Sequence, residues 1–81
     1  MSAAIEGLRI TKLERDPAHG FWRARATAGG RTVEVDCRYG SWQVVERHRG
    51  SEVGRRFATP ALAEALSARV RPLERRDRSD L

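Results

Sequence analysis

At 81 residues the chain allows one domain, and a domain of that size hides only about 60% of the surface its unfolded chain exposes, which excludes anything thicker than two layers. Hydrophobic content of 40% beside 33% charged side chains is near the globular average and excludes a disordered composition. The single cysteine, Cys37, excludes an intramolecular disulfide and a cysteine-built zinc site, and 16 basic against 11 acidic side chains leave a net charge of +5.

Residues 1–6 lack the basic start and apolar run of a signal peptide, and no stretch approaches the roughly 20 apolar residues of a membrane span. A soluble, cytoplasmic protein without a membrane partner is expected. The first strand is predicted from about Gly7 to Leu13, with Leu8 and Ile10 on one face and Arg9 and Thr11 on the other. Asp16-Pro17-Ala18-His19-Gly20 then reads as a turn.

Gly29-Gly30 suits a two-residue hairpin loop, which needs positive φ. Counting back from Ala28 opposite Arg31 sets Ala26 against Val33, Ala24 against Val35 and Trp22 against Cys37 on one face. The other face sets Arg25 against Glu34 and Arg23 against Asp36, so plus meets minus, and cross-strand pairing is the expected role of those acids. A turn at Tyr39-Gly40-Ser41 leads into Trp42-Gln43-Val44-Val45, with Trp42 and Val44 facing the core, Tyr39 grouped with the core aromatics, and Val45 pointing away. The polar segment 46–56, which holds Gly50 and Gly54, reads either as a loop or as a hairpin whose last strand ends at Phe57.

Thr59-Pro60 marks a helix start, because a threonine hydroxyl accepts from a first-turn N–H and proline there lacks a donor that would be unpaired anyway. Leu62, Leu66 and Val70 form an apolar stripe on a helix predicted to reach Arg71 and end at Pro72. Residues 74–81 are almost wholly charged and are expected to be a disordered tail behind a single domain over 1–73. The fold class expected is α+β: an antiparallel meander of three to five strands with one C-terminal α-helix packed on one face.

No catalytic constellation emerges. His19 and His48 fall in turn and loop, Cys37 faces the core through Trp22, and the acids show no ligand spacing, so neither an enzyme, a metal nor a cofactor is expected. The remaining signal is charge. Residues 1–46 hold 7 basic and 6 acidic side chains, residues 47–81 hold 9 and 5, so the positive excess lies in the second half. Once Arg23 and Arg25 are assigned to the sheet's acids, Arg47, Arg49, Arg55 and Arg56 around the glycines, with Arg69 and Arg71 at the helix end and Arg75 and Arg76 beyond it, stand as unpaired guanidinium groups suited to phosphate oxygens. With Trp22, Tyr39 and Trp42 assigned to the core, backbone-led binding of a duplex, DNA before RNA, is expected over base stacking.

Gly40-Ser41-Trp42-Gln43-Val44, then Gly50, then Arg56-Phe57-Ala58-Thr59 leading into Ala61-Leu62-Ala63-Glu64-Ala65-Leu66 resembles the arm-type DNA-binding domains of phage tyrosine integrases over about 30 residues. The resemblance implies a three-stranded sheet backed by one helix, with the sheet in the major groove and Arg47, Arg49, Arg55 and Arg56 approaching DNA. This chain has an extra leading hairpin. The alternative function is a protein-interaction module: a small phage or mobile-element inhibitor or adaptor, an arginine surface for an acidic protein, or a homodimer through an open sheet edge, motivated by Val45.

Overall fold

Short turns between alternating segments make neighbours in sequence neighbours in space. The computed structural model describes residues 7–79, with side chains as far as Arg75; the expectations for residues 1–6, the Arg76 side chain and residues 80–81 lie outside the described residues. Strands β1 (Arg9–Arg15), β2 (Trp22–Ala28), β3 (Arg31–Asp36), β4 (Gln43–His48) and β5 (Ser51–Phe57) form one antiparallel sheet in sequence order, followed by helix α1 (Pro60–Ser79). The fold is α+β, a five-stranded meander with a single C-terminal helix.

Gly29 and Gly30 both take positive φ (59° and 77°), and the register they impose on β2 and β3 is the one counted from the sequence, from Ala28 opposite Arg31 to Arg23 opposite Asp36. Segment 46–56 is a hairpin: Arg49 and Gly50 turn it with positive φ (52° and 84°), and β5 ends at Phe57. Arginine has a side chain to crowd the left-handed region, so this turn is less comfortable than the Gly29-Gly30 turn.

On one face, Leu13, Ala24, Val35 and Val44 stand in a row across four strands, and Leu62 and Leu66 of the helix press onto Ala24, Ala26, Val35 and Val44. Trp42 packs at the margin and its indole N–H donates to Ser67 Oγ (3.2 Å), pinning the helix to the β4 side. The helix start is capped as its sequence implies, with Leu62 N–H donating to Thr59 Oγ1 (3.3 Å).

Leu8 and Ile10 both pack against the core as their alternation implies, and a bulge between Ile10 and Lys12 lets Leu13 join them. Two expectations need correction. Val45 does face away from the helix, but it lies on an interior strand flanked by Glu34 and Arg55 and is only 6% exposed, so it offers no docking surface. Tyr39 is outside the core, 63% exposed in the β3–β4 turn.

The helix also passes through Pro72 to Ser79. A proline there removes one backbone hydrogen bond and crowds the carbonyl four residues back. Leu73, three residues after Val70 on the same stripe, is half-buried and lines a groove with Ile10, Leu13 and Ala68. Burial of that extra stripe residue offsets the lost bond, and its spacing was the overlooked sign of continuation. Pro72→Ala restores the donor, so it is expected to raise stability by about 1–3 kcal/mol and to deepen the helical circular-dichroism signal. An unmoved urea midpoint would mean that the turns after Pro72 contribute nothing to the packed domain.

Candidate nucleic-acid interface

The helix covers one face of the sheet and leaves the other open. Register places two full rows across that open face: Glu14, Arg23, Asp36, Gln43 and Phe57, and next to them Lys12, Arg25, Glu34, Val45 and Arg55. Arg9 and Thr27 begin a third row, with Thr32 beyond, and the two threonine hydroxyls meet at 3.0 Å.

The cross-strand order is as expected, but the ion pairs are not. Asp36 is held by Arg55, whose two terminal nitrogens donate to its two carboxylate oxygens (2.8 and 2.9 Å). Glu34 accepts from Arg47 Nε (2.6 Å), and Arg23 turns instead to Glu14 (3.4 Å) and Asp16 (3.8 Å). Arg47 and Arg55, taken from the sequence as unpaired, are therefore paired, as is Arg56 with Glu46. Arg25, taken as neutralised, is exposed and carries no ion pair among the described residues. The physical reason is diagonal reach. An arginine one row off spans the strand spacing with its long stem, so its head reaches an acid that register does not set opposite it.

These pairs differ in worth. Arg55 and Asp36 have side chains only 16% and 8% exposed, and Arg55 also donates to Gln43 Oε1 (3.0 Å) and Glu52 Oε1 (2.9 Å), so its guanidinium is fully engaged. Burial alone would raise the Asp36 pKa, but the Arg55 hydrogen bonds, the Arg38 backbone N–H and the charges of both arginines outweigh it and hold the carboxyl below its usual value. Arg55 is correspondingly raised, chiefly by hydrogen bonding to Asp36 and Glu52. Arg47 with Glu34 and Arg56 with Glu46 are substantially exposed pairs, weakened by solvent and salt, so neither is committed.

The six arginines singled out from sequence do not converge. Arg47 and Arg55 lie on the open face, and Arg49 at the β4–β5 tip. Arg56 stands opposite Val44, on the helix side; Arg69 flanks the groove between β1 and the helix, and Arg71 is exposed on the helix. Arg9, Lys12 and Arg25 share the β1–β2 side of the open face, and among the described residues only Lys12 of the three has an acid partner, Glu14, held loosely (3.5 Å). They were overlooked because Arg25 faces an acid in register.

At the opposite end, aromatic rings and arginines interleave. The Arg55 and Arg38 guanidinium carbons lie 5.0 and 5.6 Å from the Tyr39 ring centroid, Arg38 is 5.7 Å from that of Phe21, and Phe21 is 5.9 Å from His19. Cys37 is half-buried, its thiol directed at the Trp22 carbonyl (3.7 Å). Among the described residues no three or more of His, Cys, Asp and Glu gather as a metal site, and no helix is long and apolar enough to cross a membrane.

Asp36→Asn is expected to lose about 2–4 kcal/mol by leaving Arg55 charged and half-satisfied, read as a lower urea midpoint. The depressed pKa values of Asp36 and Asp16 fix the sign of the acid response. Their stabilisation is fully present above the unfolded value of 3.8 and is lost as pH falls through the lower folded values. Melting temperature should thus hold from neutrality to about pH 5 and fall below about pH 4, less steeply in Asp36→Asn. The chain matches no family model, and no curated protein or solved structure matches it at a significant level.

Proposed function

We propose that the protein is a small non-enzymatic module that binds nucleic acid through phosphate contacts on the open face of its sheet. The observation that carries this reading is the charge left over on that face. Its four acids, Glu14, Glu34, Asp36 and Glu52, are each engaged by Arg23, Arg47 or Arg55, while Arg9 and Arg25 have no acid among the described residues and Lys12 is only loosely held. Arg31 and Arg49 extend the positive charge to the two hairpin tips at the same end of the sheet.

Five strands at about 4.8 Å spacing make a surface roughly 19 Å wide. A duplex major groove is about 12 Å wide, so the whole sheet does not enter it. Binding is therefore led by the backbone, with a hairpin tip or the β1–β2 side reaching furthest, and DNA is favoured by the likeness of residues 40–66 to integrase arm-type domains. Arg47 exchanges its weak exposed partner for phosphate, while Arg55 stays with Asp36 as a structural residue.

A titration of labelled DNA against rising salt is expected to show affinity falling steeply, with a log–log slope reflecting several phosphates. Arg25→Ala should lower that slope by about one and weaken binding uniformly across sequences. No binding at low salt would end this reading.

A second reading, a protein-interaction surface, draws on Val53 and Phe57, exposed on edge strand β5. Against its homodimer form, β1 and the β4–β5 pair each carry a register shift, a device that blunts edges. The chain is expected to sediment as a 9.1 kDa monomer, and a mass twice that would revive the edge dimer.

A further inference from the structure

Resting on the nucleic-acid reading above, we infer that Tyr39 is a stacking platform for an unpaired base, so that the ligand of the open face is single-stranded. The ring belongs to a closed turn: Gly40 N–H donates to the Cys37 carbonyl (3.2 Å) and Arg38 N–H to Asp36 Oδ1 (3.3 Å). Beneath it lies the Arg55 guanidinium at 5.0 Å, itself held by Asp36, Gln43 and Glu52, so the surface supporting the ring is fixed before any ligand arrives. Although two guanidinium groups approach within 5.6 Å, Tyr39 remains 63% exposed, so they do not enclose it.

Phe57, 72% exposed, ends β5 on the same face, opposite Gln43, whose side-chain oxygen takes the second hydrogen bond from Arg55 Nη1. Two exposed rings thus flank one anchored arginine, and the row containing that arginine crosses Val45 and Glu34, the acid held by Arg47, to reach the cations Arg25 and Lys12. A duplex presents phosphates but keeps its base faces stacked inside, so it has nothing to set against exposed rings. A single strand offers both, with bases on aromatic side chains and phosphates on the cationic track. An acidic protein would meet the cations but would not require a flat ring backed by guanidinium.

The test compares anisotropy titrations of a short oligothymidylate, an abasic strand of equal length and a duplex. Tyr39→Ala is expected to weaken oligothymidylate binding about tenfold, as loss of one base–aromatic stack implies, with the salt slope unchanged. Tyr39→Phe should keep near wild-type affinity, and abasic binding should be indifferent to either change. Equal melting temperatures for the two variants establish that the fold is intact. Equal weakening on both single strands, or a wild-type protein that prefers the duplex, would overturn the stacking site while leaving phosphate binding in place. Absence of binding to all three would overturn both readings.

Discussion

The bidentate pair between Arg55 and Asp36 is the constraint around which the rest of the sheet is arranged. It joins β5 to β3 across β4, where the ladder between β3 and β4 is short: only Glu34 to Asp36 pair with Gln43 to Val45, and Arg31–Val33 diverge from the end of β4. Without the pair, the β4–β5 hairpin would be fastened to the sheet by three residue pairs, the exposed Arg47–Glu34 bond and the packing of Val44 under the helix. Burial of both partners makes the link expensive to break from one side, since the survivor would be a charge with little access to water.

That link decides how charge is distributed. With Asp36 claimed from β5 and Glu34 from β4, the arginines of β2 lose the partners that register alone would assign them. Arg23 finds Glu14 and the Asp16 of the β1–β2 turn, whose carboxylate also accepts from the Ala18 and His19 backbone (2.8 and 3.0 Å). Arg25 is left exposed. The positive end of the open face is thus a by-product of how the opposite end is held together, and Tyr39 is presented to solvent because its turn caps the same buried pair.

Local features were legible from the chain because they depend on nearest neighbours. The Gly29-Gly30 turn set the β2–β3 register, since a two-residue loop permits no slippage without exchanging the faces of Ala24, Ala26 and Val35. Thr59-Pro60 marked the helix start for the same kind of reason. Pro72 misled because a proline rule weighs one lost hydrogen bond, whereas the helix responds to Leu73 packing beside Ile10 and Leu13. Tyr39 misled because hydrophobic character was read without a position on a strand to orient it.

By itself the sequence determined the α+β class, the hairpin register, the helix start and the excess of positive charge, all consequences of composition, period and turn chemistry. Tertiary structure decided which charges remain free. Side chains as long as arginine choose among acids on several strands, and that choice depends on distances between β3, β4 and β5 that no local pattern encodes. Arg25 rather than Arg55 faces solvent without an acid partner among the described residues, and an aromatic ring rests on the arginine that was expected to hold phosphate.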